Sequence, residues 1–335
     1  MIIGLIISVI LLLFIVGYLF FTQKYVYIHH SLLLPNSSDT LLSKLEEIEF
    51  WPSWLPWTLY DDELSIETKP AHDRQIGGAT IRLKGKHIGV INCLIETVHR
   101  SNSLSCSIET DSFYPSALGL QIEWGNNEEG QSLMQLKAYC TLSFWQRARQ
   151  LMYQRRINAD MRLLLLRLKA RLEPSSDANV RFTHNGCHKL PNIDAVTKPF
   201  IVNDHSMSVQ MEQGFRDLTI SLGPENRPAG PSFALYEHAD IRQHYFTGKL
   251  GIPIQCYSAC EANPERIAFK GKYMSLIYQG SYQHLWLAWH VLYTFCRTHR
   301  LNPTHKRLNL EVYEISPRET NDSLQFVTVL YIPIM

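Results

Sequence analysis

The chain has 335 residues, 32 Lys and Arg against 31 Asp and Glu, and a formal net charge of +1. Such a balance gives no global electrostatic attraction for nucleic acid. Its seven cysteines are odd in number and irregularly spaced, which excludes the pattern of a disulfide framework and that of a zinc site. The length suggests two domains, because domains commonly contain about 100–200 residues.

Residues 2–21 form an uncharged apolar run at the N-terminus. A helix of this length spans about 30 Å, the thickness of a bilayer's hydrocarbon core. No Lys or Arg precedes the run and no small-x-small cleavage site follows it, so the residues favour an uncleaved anchor over a cleaved signal peptide. We therefore expect a single-pass membrane protein, with residues 1–23 as the anchor and the lipid bilayer as a partner. Lys24 and the unpaired cysteines favour a body that faces the cytoplasm.

The next part of the chain reads as helix, strands and helix. Residues 37–49 have the apolar stripe of a capped amphipathic helix, and residues 50–57 (FWPSWLPW) contain two prolines that prevent a long helix. Alternating patterns over residues 64–140 predict successive antiparallel strands. Apolar residues at helical spacing predict one long helix over residues 143–173. This order indicates an α+β domain.

The second half of the chain contains an internal duplication. Residues 174–196 lack periodicity and are interpreted as a linker. A strand–helix–strand–strand pattern then occurs twice, the first over residues 197–255 and the second over residues 267–333. Two such halves indicate a second α+β domain with structural repetition.

The first domain, residues 24–173, resembles the START-like superfamily in its polyketide-cyclase (SRPBCC) branch. The features that carry the resemblance are the aromatic stretch over residues 50–57, the hairpin between Gly77 and Lys86, and a closing helix rich in Leu and Arg. The resemblance implies a helix-grip fold, in which a curved antiparallel sheet wraps around the C-terminal helix and leaves an apolar cavity.

The second domain, residues 197–335, resembles the GyrI-like, or AraC effector-binding, small-molecule domain. The motifs that carry this resemblance are YQGSY at 278–282, EVY at 311–313 and VLYIPI at 329–334. The first half lacks the Gly-x-Tyr signature at residues 211–216. The resemblance implies a site for lipophilic cations, with the Glu of the second motif as counter-ion and tyrosines around it.

Glu311 and Tyr313 are the leading candidates for ligand contact. On a strand both side chains point to one face, which we expect to be the groove face rather than the face that meets the helices. A carboxylate in an aromatic groove needs a partner, and a bound cation supplies one. Some members of the family resemble hydrolases that use the same Glu and Tyr, so acid–base chemistry by Glu311, Tyr313 and Tyr282 is the alternative. A third interpretation places Glu311 on the surface and Tyr313 in the packing.

Further candidate ligand residues are aromatic, and for each of them a role in core packing is the competing interpretation. In the second domain they are Tyr282, Tyr278, Trp286 and Tyr245; in the first they are Trp51 and Trp54. The basic face of residues 143–173 is a candidate for contact with anionic lipid headgroups, against a plain solvated face.

Taken together, the residues predict a membrane-tethered protein that binds apolar or amphiphilic small molecules, including cations. The alternatives are a hydrolase acting on a small lipophilic compound, and an interaction protein whose pockets are filled by side chains. We expect no catalytic residue, metal or cofactor under the leading interpretation, and no nucleic-acid partner, because P-loop, Rossmann and helix-turn-helix signatures do not occur. The oligomeric state is left open.

Overall fold

The structure is a computed structural model that divides into two compact units, Met1–Ser176 and Asp177–Met335. It describes residues 7, 10, 14, 16–18, 20–34, 43–71, 77–99, 102–111, 113–114, 117–126, 132–202, 207–223, 227–240, 245–254, 265–304 and 307–335.

The described residues of the first unit form a seven-stranded antiparallel sheet and one long helix. The helix, α1, is Gln150–Leu172 and packs against β1, β7 and the segment Pro56–Leu59. Strand order in the sheet is β1-β7-β6-β5-β4-β3-β2. The strands are β1 Tyr25–Leu34, β2 Leu64–Lys69, β3 Thr80–Gly85, β4 Gly89–His99, β5 Ser103–Thr110, β6 Leu118–Asn126 and β7 Ser132–Thr141.

The aromatic stretch after residue 47 forms two short 3₁₀ helices. The first, Ile48–Ser53, contacts β2 and β3, and the second, Pro56–Leu59, packs on α1. Arg167 of α1 fixes this segment. Its guanidinium donates to the carbonyls of Ser53 and Leu55 and to the Thr58 hydroxyl. Burial lowers the pKa of Arg167 to about 10. The arrangement of a sheet around a C-terminal helix is consistent with a helix grip.

The described residues of the second unit form an eight-stranded antiparallel sheet in the order β12-β9-β11-β10-β14-β15-β13-β8. Its two helices are α2, Met207–Leu222, and α3, Leu285–Thr298. The strands are β8 Arg181–His188, β9 Ile193–Val202, β10 Ser232–Asp240, β11 Tyr245–Pro253, β12 Glu265–Ile267, β13 Lys272–Gln279, β14 Asn309–Ile315 and β15 Val327–Ile334.

The predicted duplication is visible in this sheet. The half β9-α2-β10-β11 and the half β13-α3-β14-β15 meet where β10 pairs antiparallel with β14. Helix α2 packs on β9 and β11, and α3 packs on β13 and β15. Both helices reach the same face of the sheet, because Phe215 of α2 contacts Tyr313 and Trp289 of α3 contacts Tyr236. The prediction that Glu311 and Tyr313 point away from the helices is therefore wrong.

Three stretches of the chain differ from the sequence-based expectations or lie outside the description. Residues 174–196, interpreted as a linker, contain β8 and the start of β9. Much of the predicted helix over 37–49 lies outside the described residues. Most of the predicted membrane span over residues 2–21 also lies outside the described residues. Those of its residues that are described are helical. No helix among the described residues has both the length and the apolar character needed to cross a bilayer.

Candidate functional site

Glu311 lies in the middle of the second unit, on the central strand pair of its sheet. On β14 it faces Ala234 of β10, and the neighbouring pair on the same face is Tyr313 with Ser232. The opposite face carries Leu310, which packs with Leu235 and Phe233 in a separate apolar cluster. Side chains that alternate along a strand point to opposite faces, so Glu311 is directed at the side where the helices lie.

Three aromatic side chains donate hydrogen bonds to the Glu311 carboxylate. The Tyr236 hydroxyl donates to Oε2 at 2.8 Å, and the Tyr313 hydroxyl donates to the same oxygen at 2.5 Å. The indole Nε1 of Trp289 donates to Oε1 at 2.7 Å. Glu311 is only 3% exposed. All three donors are neutral groups, so they satisfy the carboxylate's hydrogen bonds without neutralising its charge.

The two tyrosines are equivalent positions of the duplicated halves. Ala234 and Glu311 lie directly opposite each other, and Tyr236 and Tyr313 each follow two residues later on their own strands. An approximate two-fold axis therefore passes between Ala234 and Glu311. Because alanine occupies one side of this axis, the longer Glu311 side chain can receive the hydroxyl of the tyrosine from each half.

Aromatic rings surround this axis at edge-to-face contact distances. Phe215 of α2 lies 5.7 Å from the Tyr313 ring, and Trp289 of α3 lies 6.4 Å from the Tyr236 ring. Tyr282 lies 5.8 Å from Tyr313. Trp289 and Tyr282 are half-buried, whereas Tyr236 and Tyr313 are buried. The carboxylate thus has an aromatic floor and a partly open aromatic rim, which we name the Glu311 cage (Glu311, Tyr236, Tyr313, Trp289 and Tyr282).

Burial governs the electrostatics of the Glu311 cage. It raises the pKa of Glu311 above the usual 4.5, and the hydrogen bonds from Tyr313, Trp289 and Tyr236 act in the opposite direction. Burial and the negative charge of Glu311 raise the pKa of Tyr313 and Tyr236 well above 10. Among the described residues, no cationic side chain contributes to the pKa of Glu311. The phenols therefore remain donors at any physiological pH.

Tyr282 is held at the rim by the turn of the YQGSY motif. Gly280 has a φ of +141°, and an added Cβ would lie 2.6 Å from Val180 Cγ1. This positive φ favours glycine. The shielded hydroxyls of Tyr282 and Thr328 lie beside each other. Burial and the nearby charge of Glu311 raise the pKa of Tyr282, and the contact with Thr328 acts in the opposite direction. Thr328 pairs with Tyr313 across β14 and β15, so both hydroxyls belong to the surroundings of the cage.

Other predicted site residues of the second unit lie in different surroundings. Tyr278 is fully buried, donates its hydroxyl to the Ser281 carbonyl at 2.6 Å and packs on Phe182. Tyr245 is 36% exposed at the start of β11, with its ring 5.7 Å from His238. Trp286 is half-buried on α3. None of these three side chains hydrogen-bonds Glu311 in the described structure, whereas Trp289 and Tyr236, which were not among the predicted site residues, both do.

Trp51 and Trp54 are fully buried in the first unit. Their ring centroids are 4.8 Å apart, and Trp51 Nε1 donates to the Leu45 carbonyl at 2.9 Å. Trp54 Nε1 is buried and has no hydrogen-bond partner among the described residues. This geometry favours the packing role of the two rings.

A second buried carboxylate, not predicted as a site residue, lies in the first unit. Asp160 of α1 is fully buried and accepts hydrogen bonds from the hydroxyls of Tyr60 at 2.6 Å and Tyr114 at 2.7 Å. Trp57 Nε1 in turn donates to the Tyr114 hydroxyl at 2.8 Å. The guanidinium of Arg156 lies 3.7 Å above the Phe113 ring beside this network. We name Asp160, Tyr60, Tyr114 and Trp57 the Asp160 network.

Comparisons with known proteins give likenesses of fold at low identity. No family model and no curated protein matches the chain. The solved structures similar to it include EcmrR in a complex with DNA, at 18% identity and a TM-score of 0.39, covering 57% of this chain and 70% of that one. The EcmrR C-terminal domain is similar at 15% identity and a TM-score of 0.37, covering 47% of this chain and 96% of that one.

A START superfamily protein from Mycobacterium smegmatis is also similar, at 13% identity and a TM-score of 0.33. The likeness covers 45% of this chain and 99% of that one. At these scores the likenesses assign neither a family nor a function to the chain, and the functional proposal below depends on the site geometry alone.

Proposed function

We propose that this chain is a membrane-tethered small-molecule-binding protein whose second unit binds apolar or amphiphilic compounds that carry a positive charge. The observation that carries the proposal is the Glu311 cage, a buried carboxylate whose hydrogen-bond donors among the described residues are all neutral aromatic side chains. Residues 2–21 are the proposed tether, and the body is proposed to face the cytoplasm.

Physical chemistry connects this cage to a cation. Burying an ionised carboxylate without an opposite charge is costly, and a bound cation lowers that cost. Faces of Tyr and Trp add about 0.5–2 kcal/mol of cation–π attraction for each well-placed contact. An apolar ligand body would contact the half-buried Trp289 and Tyr282 at the rim. A lipophilic cation combines both requirements, and a membrane is where such compounds concentrate.

Replacing Glu311 with glutamine tests the proposal. We expect the Glu311→Gln variant to bind tetraphenylphosphonium, a permanent lipophilic cation, at least about tenfold more weakly than the native chain, because the counter-charge is removed while the shape is kept. Isothermal titration on the detergent-purified full chain measures the dissociation constant.

The matched control is Glu314→Gln on the same strand, because Glu314 is exposed and the change removes the same charge. Its affinity should equal that of the native chain. Equal loss in both variants would indicate general electrostatic attraction rather than the cage, and unchanged affinity in Glu311→Gln would refute the proposed site.

The pH dependence of binding provides a second prediction. Because burial raises the pKa of Glu311 above 4.5, its carboxylate takes up a proton at a higher pH than an exposed glutamate does. We expect the affinity for tetraphenylphosphonium to fall as the pH is lowered from neutrality, before it reaches 4.5. Glu311→Gln should show a flat profile over the same range.

The same shift affects stability in the ligand-free chain. The folded state holds the Glu311 proton more tightly than the unfolded state, so stability decreases as the pH rises from 4.5 through the raised pKa. Glu311→Gln should remove this decrease. Thermal melting of both chains across this range measures the difference, and an identical slope would contradict the shift.

A raised pKa also suits a general acid or base, so the hydrolase alternative has an observation in its favour. The Glu311→Gln variant separates the two functions. A binding protein loses cation affinity and shows no turnover in either form, whereas a hydrolase loses ester cleavage while its affinity for neutral substrates persists.

A further inference from the structure

The start of α1 presents an unusual combination of exposed side chains. Trp145, on the 3₁₀ turn Trp145–Arg149, is 73% exposed, and Leu151 and Met152 on the first turn of α1 are 58% and 46% exposed. Arg149 and Arg155 are exposed beside them. Met152 and Arg155 are three residues apart, and Leu151 and Arg155 are four apart, so all three share one face of the helix.

This surface adjoins the end of the N-terminal apolar run. The Leu142 N–H donates to the Lys24 carbonyl at 2.7 Å, and the Gln150 side chain donates to that of Gln23 at 3.3 Å. Tyr25 pairs with Thr141 at the same end of the sheet and is 62% exposed. The chain therefore leaves residues 2–21 at the edge of this apolar and basic surface.

The two chain segments that form this surface carry charge of one sign. Residues 18–34 and residues 143–159 contain no Asp or Glu. They contain Lys24, Arg147, Arg149, Arg155 and Arg156. A surface that mixes an exposed Trp and aliphatic side chains with Arg is typical of segments that lie in the headgroup region of an anionic membrane. Aqueous solvent alone gives no reason to expose Trp145, Leu151 and Met152 together.

We propose that this surface, formed by Trp145, Leu151, Met152, Arg149 and Arg155, docks onto the anionic headgroup layer of a lipid bilayer. The proposal rests on the proposed tether, because residues 2–21 bring the surface to the bilayer. Trp145 and the aliphatic side chains enter the interface, and the two arginines pair with lipid phosphates. Docking fixes the orientation of the first unit at the membrane.

The test uses the full chain reconstituted in vesicles of brominated phosphatidylcholine, with and without phosphatidylglycerol. Bromine quenches Trp fluorescence only at short range, and the Trp side chains of the first unit other than Trp145 are at most 5% exposed. We expect strong quenching in the anionic vesicles, weaker quenching in neutral vesicles, and a loss of the difference at high salt. Trp145→Phe should remove the quenched component.

Variants separate docking from general charge. Arg149→Gln with Arg155→Gln should shift the docking equilibrium by up to about 30-fold toward the free state, since each basic residue near the surface contributes about 1 kcal/mol. The control, Arg82→Gln with Lys84→Gln on β3, removes the same charge from exposed positions elsewhere in the unit and should quench like the native chain. Equal quenching in neutral and anionic vesicles, or no effect of the Arg149 and Arg155 changes, would overturn the proposal.

Failure of the tether gives a different result. If an alkaline carbonate wash releases the full chain from the vesicles, the tether is wrong. Salt-sensitive quenching of Trp145 on anionic vesicles before that wash would still support docking. If the chain stays in the vesicles after the wash but Trp145 is not quenched, the tether holds and the docking surface is refuted.

Discussion

Replacing Asp160 with alanine is expected to lower the free energy of unfolding of the first unit by about 3–5 kcal/mol. The carboxylate is fully buried on α1 and receives the hydroxyls of Tyr60 and Tyr114. Truncation leaves both phenols buried without an acceptor, at about 1–3 kcal/mol for each unsatisfied group. It also removes one of the links between α1 and the segment before β2, while the hydrogen bonds from Arg167 remain.

The measurement is chemical unfolding of the full chain followed by Trp fluorescence, in which Trp57 reports on the Asp160 network directly. Asp160→Asn should be milder than Asp160→Ala, because the amide oxygen still accepts one hydroxyl and the amide N–H groups can donate to the other. Glu109→Gln, an exposed change on β5, is the control and should stay within about 0.5 kcal/mol of the native chain. A midpoint for Asp160→Ala equal to that of Glu109→Gln would show that the network adds no stability.

The sequence identifies most of the fold because the strands and helices have strong periodic patterns. Strands β2 to β7 and helix α1 occur within the ranges that the periodic patterns predict, residues 64–140 and 143–173 to within a residue, and the duplication follows from the repeated order of elements. Strand β8 escaped recognition since it is an edge strand with most of its side chains exposed, so it has no apolar alternation. Its single neighbour in the sheet, β13, supplies the backbone hydrogen bonds that hold it there.

The site was only partly accessible from the sequence. Glu311, Tyr313 and Tyr282 lie together, and the EVY motif is what indicated the first two. Tyr236 follows from an internal comparison, since residues 234–237 (ALYE) repeat residues 311–314 (EVYE) with alanine in place of the glutamate. Trp289 could not be identified in this way. Its contact with Glu311 depends on how α3 is rotated about its own axis, and a stripe of aromatic residues on a helix does not define that rotation.

The sequence pattern does not identify Asp160 as a buried residue, because many arginines surround it. Seven arginines over residues 143–173 indicate a solvated basic face. On such a face, an aspartate is interpreted as an exposed ion-pair partner of an arginine. The useful signal was its position, because Asp160 lies between Ile157 and Met161, which are both fully buried on α1. A carboxylate within an apolar helical stripe indicates a buried polar network.

Exchanging the residues at the approximate two-fold axis should move the binding carboxylate to the other half of the second unit. We expect Glu311→Ala alone to lose affinity for tetraphenylphosphonium, and Glu311→Ala combined with Ala234→Glu to recover part of it. The reason is that residues 234 and 311 face each other, while Tyr236 and Tyr313 are equivalent donors from the two halves. Recovery is incomplete because α2 presents Phe215, which has no N–H, where α3 presents Trp289.

Ala234→Glu in the native background, where Glu311 is still present, should lower the stability of the second unit. Two carboxylates would then meet across one strand pair in a buried site, so one must stay protonated or the unit loses stability. Ala234→Gln is the control of equal size, and both variants should show the overpacking cost of about 1–3 kcal/mol expected in a filled core. Only Ala234→Glu should lose further stability as the pH rises through the pKa values of the pair. Two results together would contradict this: Ala234→Glu has the same melting temperature as Ala234→Gln at every pH, and the exchange variant binds no better than Glu311→Ala. The two positions would then not share a site, and the cage would belong to one half alone.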